Sequence, residues 1–224
     1  MGFEERTKLV LGDEAIEKLK NAKVIVFGVG GVGGYVCEML TRTGVGSLTI
    51  VDFDTVSVSN LNRQIIALTS TLGKKKVEVM QNRLKDINPS LNLLALDKKF
   101  SAETKEFFKL QNYDYVVDAI DILDNKIDLI AYAKELNVKI ISAMGAGNRG
   151  GIPHFEVVDI FKTSYDSLAK KVRKLLKDRG VNNLTVVYTK EPPQKLKPVG
   201  SVVYYPAMCG TVLAAKVINN IISG

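Results

Sequence analysis

Four glycines at Gly28, Gly30, Gly31 and Gly33 form the first place where residue type and spacing suggest chemistry. They stand in the run GVGGVG, a G-x-G-x-x-G turn. Glycines there let the backbone approach a phosphate closely, and a following helix aims its N-terminal amides and dipole at the negative charge. Asp52 lies 19 residues past Gly33, at the expected end of a second strand. A carboxylate in that position accepts hydrogen bonds from ribose hydroxyls. The bland reading is a glycine turn needed only for packing. The motif does not choose among nucleotides, and on these residues alone NAD is the default.

Downstream residues shift that default. Arg63 follows in the run NLNRQ, and Lys76 in GKKKVEVM. A dinucleotide pyrophosphate has little need of added cations. ATP, whose β and γ phosphates depart together, needs Arg, Lys and usually Mg²⁺ to stabilise the leaving charge. Asp121 follows a predicted fourth strand, at the carboxyl ends of a parallel sheet's strands where ligands bind, and its carboxylate suits Mg²⁺. Each residue has a plainer reading too. Arg63 and Lys76 can be solvated surface charges, and Asp121 can cap the helix expected from Leu123.

These residues need a scaffold of alternating strands and helices, the pattern of a parallel sheet. Strands are expected at Lys23–Gly28, Ser47–Asp52, Leu91–Asp97, Tyr113–Asp118 and Val138–Ser142. Helices are expected at Gly12–Lys20, Gly31–Thr43, Gly73–Ile87, Ser101–Lys109 (capped by Ser101) and Leu123–Leu136. After the glycines at 145 and 147 the pattern changes. Strands His154–Asp159 and Leu184–Tyr188 flank an amphipathic helix, Asp166–Arg179, with Leu168, Val172, Leu175 and Leu176 on one face. Thr189–Pro198 reads as a loop and Ala207–Ile222 as a buried helix. The fold expected is α/β: a Rossmann-like, mostly parallel sheet flanked by helices, with an additional C-terminal strand and helix portion. The 224 residues read as a single domain.

Charge adds a second theme. Residues 161–198 hold ten Lys or Arg against three Asp or Glu, while the rest of the chain holds 21 of each. The whole excess of +7 therefore sits in one segment. On its helix, Lys170, Lys171, Arg173, Lys174 and Lys177 form a patch that attracts a polyphosphate backbone, so the segment is expected to bind RNA. The competing reading is a solvated helix face. Tyr165 and Tyr188 are read as packing residues rather than base-stacking ones, and His154 as structural. Cys37 and Cys209 are far apart, with no Cys-x-x-Cys, which argues against zinc and for inert thiols in a reducing cytoplasm. The final helix is shorter than the ~20 residues of a membrane span, so no membrane partner is expected.

Together the strings GVGGVG (28–33), IVDFDTVSVSNLNRQ (50–64), GKKKVEVM (73–80) and VVDAID (116–121) resemble the ubiquitin-activating-enzyme-like adenylyltransferases, the ThiF, MoeB and HesA group. The resemblance implies Asp52 on the ribose, Asp54 at the nucleotide, Asn60, Arg63 and Lys76 on phosphate, and Asp121 at the metal. It also implies a homodimer in which Arg6 reaches the triphosphate of the neighbouring subunit. The start RTKLVLG (6–12), IISAMGAGN (140–148), the basic helix and GSVVYYPAMCG (200–210) are similar to the tRNA threonylcarbamoyladenosine dehydratase subgroup. That implies ATP-dependent adenylation of the threonyl carboxylate on tRNA carrying threonylcarbamoyladenosine, then ring closure with loss of AMP. Ring closure needs no enzyme nucleophile, because the attacking group is already tethered. Alternatives stay open: activation of a sulfur-carrier protein, which would make a sulfur-transfer protein the partner; an NAD-dependent dehydrogenase; or a non-catalytic nucleotide-binding regulator.

Overall fold

The computed structural model describes residues 2–224. Seven strands form one sheet: β1 (Lys23–Phe27), β2 (Ser47–Val51), β3 (Asn92–Leu96), β4 (Tyr115–Asp118), β5 (Ile140–Ala143), β6 (Glu156–Asp159) and β7 (Thr185–Tyr188). Their order is β3-β2-β1-β4-β5-β7-β6. All neighbours are parallel except β6, which runs antiparallel along β7. The chain order reverses direction between β1 and β4, which opens the crevice in which such sheets bind ligands. β1 and β4 are buried almost throughout and correspondingly rich in Val and Ile, as strands covered on both faces require.

Helices cover both faces. On one lie α2 (Asp13–Asn21), α3 (Gly33–Thr43), α4 (Lys76–Ile87) and α7 (Tyr204–Ser223), packed on Val24, Val26, Leu48, Ile50 and Val117. On the other lie α5 (Leu123–Glu135) and α6 (Ser167–Asp178), packed on Ile25, Phe27, Val116 and Val186. Strand alternation divides these residues between two cores. On α6, Ala169, Val172 and Leu176 are buried, with Leu168 and Leu175 partly so, as the periodicity requires. No described helix is long and apolar enough to cross a membrane.

Three expectations change. Residues ahead of the leading helix form their own helix, α1 (Glu5–Leu11), which buries no side chain and so left no periodic apolar signal. The helix expected over 101–109 is instead a pair of 3-10 turns at Lys105–Phe108 and Leu110–Asn112. Lys109 between them has φ 46°, which breaks α continuity, and Phe100 and Phe108 pack against Phe27. Ser101 therefore caps no α-helix; its hydroxyl donates to Glu103 at 2.5 Å. The strand expected from His154 starts only at Glu156, and His154 is exposed in the preceding loop.

Candidate active site

The glycine turn leaves β1 at the crevice. Gly28 has φ 90°, and a Cβ there would lie 2.5 Å from the Ala119 carbonyl oxygen, so close approach to the end of β4 demands glycine. A Cβ on Gly33 would collide with the Gly28 carbonyl, so Gly33 serves packing at the start of α3. Gly28, Gly30 and Gly31 line a cavity of about 460 Å³, whereas Gly33 does not. The packing and ligand readings of the motif are thus divided among its members.

Asp52, nearly buried, lines the same cavity. Its Oδ2 accepts from Val29 N at 2.7 Å and its Oδ1 from Asp54 N at 2.9 Å. These bonds fix the carboxylate against the glycine turn while a second lone pair on each oxygen stays available to a ligand.

The cations arrive from the segment between β2 and α4. Lys76 is the first residue of α4, and its side chain is 7% exposed. A buried cation at a helix N-terminus opposes the helix dipole. Asp54 compensates: its Oδ2 lies 2.7 Å from Lys76 Nζ. Arg63 also lines the cavity, held by bonds to Ser59 O (2.6 Å) and Asn62 Oδ1 (2.9 Å), and has no carboxylate partner among the described residues. Asn60, by contrast, is buried behind the wall. Its Oδ1 accepts from Ser57 N at 3.1 Å and completes the capping box of the 3-10 turn Val58–Asn60, so it shapes the segment that carries Arg63. Gln64 lines the cavity, and its Oε1 is buried with no partner among the described residues, an acceptor left open at the wall.

Asp121 is exposed at the cavity and does not cap α5, whose preceding residue is Ile122 with no side-chain cap. The capping alternative is removed. The loop bearing Asp121 is anchored by a fully buried pair: Asp118 Oδ2 lies 2.6 Å from Lys126 Nζ, which also donates to Ala143 O at 3.1 Å. Asp118 Oδ1 accepts from Ile120 N at 3.0 Å. No cluster of three metal-ligating side chains occurs among the described residues. A metal at Asp121 would therefore take its other ligands from phosphate and water, as Mg²⁺ commonly does.

Sequence reading missed several lining residues. Phe53, Lys98, Lys99, Phe100 and Ile122 also line the cavity, as do Ala146, Gly147, Val199, Gly200, Ser201 and Pro206. Their signal is positional: they follow the carboxyl ends of β2, β3, β4 and β5, or come from the segment before α7 and its first turn. The segment before α7 is tied down by Asn148, whose Nδ2 donates to Leu196 O (3.1 Å) and whose Oδ1 accepts from Gly200 N (2.5 Å).

Arg6 lies on α1, exposed and outside the cavity lining. Cys37 and Cys209 are fully buried. Burial pushes both thiols up, Cys209 to about 12, so neither is a ready nucleophile. On α6, Lys170, Lys171, Lys174 and Lys177 are exposed and have no ion pair among the described residues. Arg173 differs: its guanidinium donates to Thr163 O at 3.0 Å and to Thr163 Oγ1, which commits it to bracing the chain before α6.

The model of the ThiF family matches residues 5–223. The chain is 36% identical over 237 residues to a tRNA threonylcarbamoyladenosine dehydratase of Bacillus subtilis, covering 97% of this chain and 93% of that protein. The crystal structure of the E. coli tRNA N6-threonylcarbamoyladenosine dehydratase in complex with ATP superposes with a TM-score of 0.94 at 32% identity, covering 98% of this chain and 93% of that one. A molybdopterin-synthase adenylyltransferase of Haemophilus influenzae is 34% identical over 139 residues, covering only 62% of this chain and 57% of that protein.

Proposed function

The chain belongs to the ThiF family, and from that premise we propose that it is an ATP-dependent dehydratase of tRNA threonylcarbamoyladenosine. The observation that carries this reading is the end-to-end likeness to the dehydratases, against a likeness to the sulfur-carrier activator that stops at 62% of the chain. The threonyl carboxylate of the modified nucleoside attacks the α-phosphorus of ATP and pyrophosphate leaves. The neighbouring carbamoyl group then attacks the activated carbonyl, AMP leaves, and the nucleoside has lost one water.

The lining residues divide this work. The glycine turn and Asp52 seat the nucleotide. Arg63 and Lys76 stabilise the charge that gathers on the departing pyrophosphate. Asp121 would hold Mg²⁺, which neutralises phosphate charge when bound. As ATP enters, Lys76 passes from Asp54 to phosphate. The adenylation and ring closure use no thiol, in keeping with two buried, neutral cysteines. Free thiols also agree with a reducing cytoplasm.

Two further parts of the reading concern assembly and substrate. Arg6 reaches a triphosphate only from a second copy, since it lies outside its own cavity. α1 offers Leu9 and Val10, 81% and 83% exposed, as an apolar surface for such a homodimer. The unpaired lysines of α6 hold the RNA backbone. The decisive experiment incubates the protein with ATP, Mg²⁺ and tRNA carrying threonylcarbamoyladenosine. AMP, pyrophosphate and a nucleoside lighter by one water are expected. Turnover only with a small carrier protein, or none with the tRNA, would overturn the reading.

A further inference from the structure

Tyr165 is 76% exposed and makes no hydrogen bond or ring contact with any described residue. It is also the one described aromatic residue in the left-handed region, with φ 57°. A bulky side chain adopts that conformation at a cost, so the surrounding structure must impose it. The neighbours do so from both sides. Thr163 Oγ1 donates to Ile160 O at 2.7 Å, and Arg173 grips Thr163. Asp166, 5% exposed, caps α6 with Oδ1 on Ala169 N at 2.9 Å and accepts from Gly145 N at 3.0 Å with Oδ2. Arg149, equally buried, stands 3.6 Å from that carboxylate and donates to the Gly145 and Gly147 carbonyls.

These clamps set where Tyr165 stands. One residue away, Asp166 is bonded to the loop whose Ala146 and Gly147 line the cavity. Directly after Asp166 α6 begins, with unpaired Lys170 and Lys171 one turn on. An exposed ring is thus joined through Asp166 both to a loop that lines the cavity and to a helix with unpaired lysines. Unpaired bases are recognised by that combination, because each presents a π-face that stacks while phosphates meet the cations.

We propose that Tyr165 is a stacking platform for an unpaired base of the RNA substrate, one that flanks the nucleoside entering the cavity past Ala146 and Gly147. The proposal rests on the RNA reading above. Stacking fixes the flanking base, and the tethered carboxylate is thereby delivered to the cavity.

The test measures binding of tRNA carrying threonylcarbamoyladenosine to the parent and to Tyr165→Ala, Tyr165→Phe, Tyr165→Gly and Phe161→Ala. Loss of one stacked base should weaken binding roughly 5- to 100-fold in Tyr165→Ala and Tyr165→Gly. Tyr165→Phe, which keeps the ring, should bind within about threefold of the parent, since stacking tolerates the lost hydroxyl. Phe161, half-exposed in the 3-10 turn Ile160–Lys162 four residues earlier, holds its ring on a stretch without the Asp166 link to the cavity loop and should be indifferent. ATP binding should be unchanged throughout, and the salt slope of RNA binding should be kept, because no phosphate contact is removed. Tyr165→Gly should melt no lower than the parent, because glycine accepts φ 57° freely. Parent-like RNA binding by Tyr165→Ala, or equal losses in Tyr165→Ala and Tyr165→Phe, overturns the proposal alone. A parent that neither binds nor converts the tRNA overturns the RNA reading with it.

Discussion

Replacing Lys76 with methionine removes the ammonium and keeps most of the apolar stem. The stability change can be worked from the surroundings. The lost partner, Asp54, is half-exposed while Lys76 is buried, so solvent screens the pair from the carboxylate side and it is worth about 1 kcal/mol, the upper end for exposed pairs. Removing a cation from the N-terminus of α4 returns about 0.3–1 kcal/mol of dipole repulsion. The two nearly cancel. Melting should therefore move by no more than about 4 °C, at 2–4 °C per kcal/mol for a chain of this size. Catalysis has no such compensation. A charge that stabilises developing negative charge is worth about 10²–10³ in turnover, or about 2.7–4 kcal/mol. The assay pairs thermal melting with pyrophosphate release from ATP on modified tRNA. AMP formation within tenfold of the parent would refute the assignment of Lys76 to the phosphates. A melting point lowered by 10 °C or more (~3 kcal/mol) would refute the cancellation, and with it the reading of Asp54 as a stand-in for phosphate.

Asp121→Asn should lose Mg²⁺-dependent turnover without lowering the melting point, since the carboxylate caps nothing; a stability loss with intact activity would refute the metal role. Mixing Arg6→Ala and Lys76→Ala subunits should restore activity, because one site of a mixed dimer is intact, whereas verified mixed dimers that stay inactive would exclude Arg6 acting across subunits. Reversing Lys170, Lys171 and Lys174 to Glu should weaken tRNA binding, and each lost phosphate contact should reduce the log–log salt slope by about 0.7–0.9; ATP binding should persist, and unaltered tRNA affinity would leave the patch a solvated face. A raised thiol stays protonated until pH approaches its pKa, so Cys209, pushed up to about 12, should be almost wholly neutral at pH 8. Iodoacetamide should spare the folded protein and modify both cysteines once it unfolds; native labelling would contradict the burial.

Much of the scaffold was legible because β1, β2 and β4 announce themselves as Val- and Ile-rich runs and GVGGVG fixes the turn that leaves β1. Asp52, Arg63, Lys76 and Asp121 do converge on one cavity. The failures have local causes. α1 has no buried face, so no periodicity marks it. Ser101–Lys109 has helical composition, but Phe108 is drawn into the core against Phe27 and Lys109 turns the backbone to φ 46°. Asn60, expected on phosphate, uses its Oδ1 in a capping box, a role that one residue's identity does not distinguish. Tyr165 reads as packing because aromatic residues usually pack. Its exposure depends on the clamps of Arg173 and Asp166, which join groups that sequence spacing alone does not bring together. Lys98 and Lys99 fall past the third strand in the expectation and in the structure alike, and a lysine pair after a strand does not by itself distinguish a lining residue from a solvated charge.

The glycine turn leans on α7. A Cβ on Gly31 would come within 3.2 Å of Pro206, and one on Gly210 within 2.5 Å of the Val32 carbonyl oxygen. The wall of the nucleotide site is thus finished by residues made more than 170 positions after it. On a ribosome, β1 and its turn emerge first and wait for nearly all the remaining chain before α7 can dock. A nascent chain halted ahead of Tyr204 has the glycine motif yet lacks the helix that braces it. Nucleotide capture thereby becomes a late event in synthesis. ATP in the cell lends its binding energy to finished molecules and not to the fragments that precede them.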